Sequence, residues 1–303
     1  TPATASDSVN ENTAPPKSAG VGSPPPPPRR RKFWFLPTKS RFISFSQVRE
    51  DWILYNAFGE KQSGFYIDVG AADPHSLSVT KLLYSLGWCG INIEPRPDMF
   101  AKLQEARPRD VNVNLGCSDQ KSELEFAVYG DLSSCDPQTI DSLRQNNADF
   151  TMTKTPVWTL TEILQTYLPT QDQAIDFCKI DVEGYERYVL LGLDFAKFRP
   201  AVFCVESTIP GSSVPCHKRF EDVLVNNGYE IVYIYSINRY YVDMRRDDAE
   251  RILENFLRIG WKEKKIKTID FRNMGDSIRN FIRYPKRALR PIGRSIKDML
   301  RLR

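Results

Sequence analysis

The sequence is poor in several features that would commit it to common functions. No run of apolar residues approaches the roughly 18 to 20 that a membrane-crossing helix needs, and the N-terminus lacks the basic-then-apolar order of a secretory signal. The six cysteines (Cys89, Cys117, Cys135, Cys178, Cys204, Cys216) contain no C-x-x-C pair, and four lie in apolar runs that read as strands, so they read as small reduced core residues. These features give a cytoplasmic chain as the expectation. Histidine occurs only at His75 and His217. The formal net charge is only +4, and no known nucleic-acid motif accompanies it, so no nucleic-acid partner is expected. The chain shows no internal repeat. It opens on Thr1 rather than Met, from which processing or a longer parent chain is the expectation.

The charge is unevenly spread. From Lys262 to Arg303 there are 14 Lys and Arg against 4 Asp and Glu, while the rest of the chain is mildly acidic. In that tail Ile292, Ile296, Met299 and Leu300 recur at helical spacing among basic residues, the form of an interfacial amphipathic helix. This points to peripheral contact at the inner membrane surface, weighed equally against a solvated, frayed end. At the other end, residues 1–41 form a Pro-rich segment and linker. Its first 32 residues, with Pro24 to Pro28 and the basic run to Lys32, hold too few large apolar side chains to bury a core, so disorder is expected. A PxxP ligand is the sharper reading and a linker the favoured one. The reading places one domain over 42–247 and a helical basic extension over 248–303.

Within 42–247 short apolar runs alternate with helical stretches. Strands are expected at 64–69, 88–94, 111–116, 123–129, 175–180 and 201–205, with helices at 76–86, 97–106, 160–167, 185–193 and 218–227. A hairpin of 229–235 and 240–244 follows, then a helix over 248–260. The polar stretch 131–156 gives a weak signal and is expected to be a mobile excursion. Strands alternating with helices and closed by a hairpin predict an α/β fold, Rossmann-like, with a mainly parallel twisted sheet, helices on both faces and an antiparallel edge. Tyr233, Tyr235, Tyr240 and Tyr241 alternate along the hairpin, so half are expected in the core and half facing out.

Ligands of such sheets bind beyond the carboxyl ends of the strands, and here those ends are acidic. The first strand runs into Asp68-Val69-Gly70-Ala71-Ala72-Asp73, the second ends in Glu94, the third leads to Ser118-Asp119, the fourth ends in Asp181-Val182-Glu183, and the fifth in Glu206. These groups suit a cationic nucleoside. Gly70 permits close backbone approach, and the small Ala71 leaves that path open. Glu94 is placed to accept from ribose hydroxyls, and Asp119 from an adenine amino group. Asp68 or Asp181 would face an ammonium and a sulfonium. A pyrophosphate cofactor would want G-x-G-x-x-G at the first turn, and the chain has a single glycine there.

Taken in order, the stretches SQVREDWIL (46–54), GFYIDVGAADPHSLSVT (64–80), LYSLGWCGINIEPRPDMF (83–100), GCSDQKSELEF (116–126), IDFCKIDVEGYERYVLLGLDF (175–195), ESTIPGS (206–212) and NRYYV (238–242) resemble the FkbM-type methyltransferases. The resemblance spans about 200 residues. It implies a class I methyltransferase fold, S-adenosyl-L-methionine as methyl donor and usually O-methylation, with many bacterial members tied to polysaccharide or natural-product assembly. The family's Glu-Ala-Thr block here carries Ser207 in place of Ala. Residues 131–156, and those after about 248, match nothing in the pattern, and acceptor specificity is expected there.

Methyl transfer to a hydroxyl needs alignment and a general base. Both histidines follow strand ends, so His75 and His217 are base candidates, with Asp181, Glu183 and Glu206 as alternatives. The three carboxylates also have the chemistry to converge on Mg²⁺. A metal is not favoured, because Asp181 is needed near the cofactor and Glu183 suits a cap on the helix beginning at Gly184. The leading expectation is an O-methyltransferase acting on a saccharide or glycosylated acceptor, lipid-linked acceptors included. The rivals are methylation of a small natural-product hydroxyl and a catalytically silent interaction module.

Overall fold

The computed structural model describes residues 44–59, 61–130 and 132–262. The Pro-rich head and the basic tail beyond residue 262 lie outside these. Two sheets organise the described chain. In sequence order the elements are α1 (Glu50–Ala57), β1 (Phe65–Val69), α2 (Lys81–Ser85), β2 (Cys89–Ile93), α3 (Pro97–Ala106), β3 (Val111–Val113), β4 (Gly116–Ser118), β5 (Ser122–Tyr129), β6 (Leu132–Ser134), α4 (Pro137–Gln145), β7 (Thr151–Thr159), α5 (Leu160–Tyr167), β8 (Phe177–Ile180), α6 (Glu186–Leu191), β9 (Val202–Glu206), α7 (Glu221–Asn226), β10 (Tyr229–Tyr235), β11 (Asn238–Asp243) and α8 (Ala249–Lys262).

The large sheet has seven strands in the order β10-β11-β9-β8-β1-β2-β3. Its strands from β9 to β3 are parallel, and the hairpin β10-β11 closes one edge antiparallel to β9. This is the expected α/β architecture. The runs FYIDV, FCKI and VFCVE are buried at every position, because helices cover both faces. Alternate residues divide between two cores. Tyr66, Phe177, Val202 and Tyr240 pack with α1, α2 and α8. Phe65, Ile67, Phe203 and Tyr241 pack with α5, α6 and α7. On α8, Ile252, Leu253 and Phe256 are fully buried in the first of these cores.

The hairpin tyrosines do not divide as expected. Tyr233, Tyr240 and Tyr241 are all buried and Tyr235 is partly so, since the hairpin too is sandwiched between helices. The helix expected over 76–86 shrinks to α2. Residues 78–80 are drawn inward instead, where Thr80 donates its hydroxyl to Asp68 at 3.0 Å and Arg107 donates to the Ser78 hydroxyl at 3.2 Å.

The strand expected at 111–116 divides between two sheets. β3 joins the large sheet, and β4 starts a second one. The Asn114 amide between them donates to the carbonyls of Glu94 and Pro95 and fixes the crossing. The second sheet, ordered β4-β7-β5-β6, takes up both ends of the stretch expected to be a mobile excursion, with α4 between them. Its long ladder pairs β5 with β7, from Ser122 opposite Val157 to Val128 opposite Thr151. Asp136 caps α4 by accepting from Thr139 N–H at 2.9 Å, and Thr159 with Glu162 forms a capping box on α5.

Candidate functional site

The carboxyl ends of β1, β2, β8 and β9 open into a cavity of about 620 Å³, within the range of small-molecule sites. Its floor is the turn after β1. Gly70 has φ +75, and a Cβ there would lie 2.0 Å from the Asp181 carbonyl oxygen, so only glycine fits. Gly70 and Ala71 both donate to the Ile93 carbonyl, and Lys179 donates to the Gly70 carbonyl at 2.6 Å. Ala72 and Leu77 on this rim, and Glu183 across the cavity, are non-glycine residues held at positive φ. Such strain gathers where surrounding contacts over-determine the backbone.

Glu94 is 3 % exposed and lines the cavity. Ala72 N–H donates to its Oε2 at 2.7 Å, and Arg96 N–H to its Oε1 at 2.9 Å. Burial raises its pKa, against those two bonds and the Lys179 and Arg96 charges. A carboxylate has about four acceptor positions, so two remain for a bound diol such as a ribose. Ile93, Met99, Leu115 and Phe126 supply apolar wall nearby.

Across the cavity the acidic groups crowd together. Asp181, Glu183 and Glu206 each bring an oxygen within 4.8 Å of the others. Glu206 is 7 % exposed, and among the described residues its Oε2 has no hydrogen-bond partner. Burial first, then Asp181, Glu183 and Glu186, pushes its pKa up, and burial followed by Asp181 and Glu186 does the same to Glu183. This trio can hold a proton between its members, or a hard divalent cation. Lys179 lies 3.6 Å from Asp181 and 3.3 Å from Asp68. Burial alone would lower its pKa, but the two carboxylates outweigh burial and keep the ammonium charged.

The second sheet fixes this acidic edge. Ser134 of β6 donates its hydroxyl to the Glu183 carbonyl at 2.8 Å, and Thr139 of α4 to the same oxygen at 3.4 Å. Glu186, pushed up to about 7 chiefly by burial, accepts from Gly184 N–H at 3.0 Å.

The expected site residues therefore separate. Gly70, Ala71, Glu94, Asp181, Glu183 and Glu206 line one cavity. Asp68 lies beneath the floor, 1 % exposed and bound to Thr80 and Lys179, outside the lining. Ser118 is buried and donates to Asp119 at 3.0 Å. Neither of those two lines the cavity, although Gly116 and Cys117 just before them on β4 do. His75 is exposed on the rim loop, and His217 starts a 3₁₀ turn; both stand outside the lining. Burial and then Arg239 lower the pKa of His217.

The lining residues that the sequence reading did not single out include Gln47, Lys179 and Tyr185. Lys179 had a visible signal, a cation inside an otherwise apolar strand run. Gln47 is placed by two buried acids. Asp51 accepts from Ser44, Phe45 and Ser46, while Glu50 accepts from Val48 N–H and the Asn238 amide.

A parallel sheet with a single-glycine turn, a carboxylate with open acceptor positions after β2 and an acidic wall defines a Rossmann-like cavity at the carboxyl ends of the strands. The family model described as the methyltransferase FkbM domain matches residues 68–231, more than half of the chain, and the chain belongs to this family. It is similar to the crystal structure of methyltransferase FkbM from Methylobacillus flagellatus KT at 15 % identity and a TM-score of 0.40. The match covers 59 % of this chain and 44 % of that one, so it spans less than half of that protein's length. Among the curated proteins compared, none matches. No helix among the described residues is long and apolar enough to cross a membrane.

Proposed function

We propose that this methyltransferase uses S-adenosyl-L-methionine and methylates a hydroxyl oxygen of a saccharide or glycosylated acceptor, lipid-linked acceptors included. The observation that carries the reading is the union in one cavity of Glu94, with two acceptor positions left open, and the crowded trio Asp181, Glu183 and Glu206. Bound there, the cofactor supplies a methyl carbon made electrophilic by its sulfonium. Glu94 is assigned to the ribose hydroxyls, the Gly70–Ala72 turn to close backbone approach, and Asp181 to the cationic amino-acid end. A hydroxyl is a weak nucleophile at neutral pH, and a positioned base adds about 10² to 10⁴ in rate. Glu183 takes that role, because burial and then the Asp181 and Glu186 charges raise it to about 8, where a carboxylate accepts a proton near neutrality, while Glu206, raised to about 11, is the protonated member of the pair. The pair would take the acceptor's proton as its oxygen attacks the methyl carbon that the cofactor would supply.

A cytoplasmic setting, with peripheral membrane contact through the tail beyond residue 262, belongs to the same proposal. Lipid co-sedimentation of the full chain separates a lipid-linked acceptor from a soluble natural product. The primary test is calorimetric titration of S-adenosylhomocysteine into the full chain and into Glu94→Ala, followed by an acceptor screen with and without Mg²⁺. Saturable binding that the variant loses is expected. A folded wild-type chain that binds nothing would leave the interaction-module reading in its place.

A further inference from the structure

A second cavity of about 260 Å³ lies against the small sheet and shares Pro95, Arg96, Phe126 and Ser133 with the first. Its floor is one face of that sheet. Thr151, Thr153 and Thr155 alternate along β7, so their side chains share a face. The ladder sets Thr151 opposite Val128 and Thr153 opposite Phe126, and β6 adds Ser133 opposite Val128. All six residues line the groove. Thr151 and Thr153 are exposed and Ser133 is half-buried. Among the described residues the hydroxyls of Ser133, Thr151, Thr153 and Thr155 are engaged by no hydrogen bond. The threonine row extends about 14 Å from Thr151 to Thr155 at the usual strand rise.

A row of unengaged hydroxyls beside a phenyl ring and two prolines presents both halves of what a polyhydroxylated ring offers: donors and acceptors at its rim, and C–H groups on its faces. Arg96 cannot serve there as a free cation, because its guanidinium is held by Asp98 and the Gly130 carbonyl. That argues for a neutral ligand. We infer that this face of the second sheet is an acceptor subsite, which receives the further units of a neutral, polyhydroxylated chain whose reacting unit lies in the main cavity. The inference rests on the saccharide reading above and extends it from a single ring to a chain.

The test uses the full chain saturated with S-adenosylhomocysteine. A panel of neutral linear hexasaccharides and their constituent monosaccharides is screened by saturation-transfer-difference NMR, with affinities from titration. At least one hexasaccharide should bind at least tenfold more tightly than its monosaccharide. Thr153→Trp, which fills the groove, should abolish that chain-length advantage. The shape-preserving pair Thr151→Val with Thr153→Val should weaken the hexasaccharide about tenfold, as expected for two lost hydrogen bonds. Affinity for S-adenosylhomocysteine should be unchanged in all variants. The inference is overturned if no hexasaccharide binds the loaded wild-type chain, or if affinity is indifferent to chain length and to both variants. Failure of S-adenosylhomocysteine itself to bind would instead count against the cofactor reading, and the hexasaccharide screen of the same chain still decides the groove.

Discussion

The two sheets are built on opposite terms. The seven-stranded sheet is covered on both faces, and its chemistry is confined to the ends of its strands, where Gly70, Glu94, Asp181 and Glu206 emerge. The four-stranded sheet leaves most of β7 exposed and offers a face rather than an end. The contrast separates two tasks. The buried sheet holds the groups at its strand ends in a fixed frame, and the open sheet supports the acidic edge from behind through Ser134 while presenting its own polar surface.

If this contrast is right, disturbing the buried frame should cost much more than altering the open face. The largest effect is expected from Lys179→Met, which leaves Asp68 buried without its cation. Breaking such a pair from one side typically costs about 3–5 kcal/mol, measurable by urea unfolding. A loss below about 1 kcal/mol would show that the floor beneath the cavity does not depend on this lysine.

Next comes a pH dependence rooted in the same sheet. Asp110 accepts from Tyr66, Asn92 and Gly90, yet burial outweighs those bonds and pushes its pKa up to about 6. Because the folded value lies above the unfolded one, the folded chain holds more protons between about pH 4 and 6, and this group's contribution falls as pH rises through that window. The full change is on the order of 3 kcal/mol for a shift of about two units. Asp110→Asn should remove that slope, so stability curves of variant and wild type measured from pH 4 to 7 should diverge; parallel curves would refute the assignment.

Asp136→Ala tests the link between the sheets. It removes the α4 cap, worth about 1 kcal/mol, and loosens the contact between Asp136 and Gly184 beside Glu183. Acceptor turnover should fall more than S-adenosylhomocysteine affinity, and an equal loss of both would argue that the second sheet does not steer the acidic edge. The smallest effect on stability belongs to the paired valines at Thr151 and Thr153. As surface changes on an exposed strand they should stay within about 0.5 kcal/mol in thermal unfolding.

Legibility followed the same division. Helices at Pro97–Ala106 and Leu160–Tyr167 stand where periodicity placed them, and the buried strands are readable because burial on both faces demands continuous apolar runs. Thr151–Thr159, read as TMTKTPVWT, offers no such run. Its strand character comes from pairing with β5, a contact made across the intervening α4, and no local pattern announces it. The division of Val111–Gly116 between two sheets was equally hidden, because it depends on Asn114 finding the Glu94 and Pro95 carbonyls.

For the site, the sequence by itself determined the family, the single-glycine turn and the acids that close each buried strand, because strand order and strand ends are written in short local runs. Only the tertiary structure decided which of those acids share a cavity. Asp68 falls below the floor and Asp119 stays outside the lining, while Lys179 and Gln47 are brought in. The physical reason is that a side chain's position in the chain fixes the strand it ends, whereas its neighbours are fixed by burial, by paired charge and by the crossing of one sheet past another.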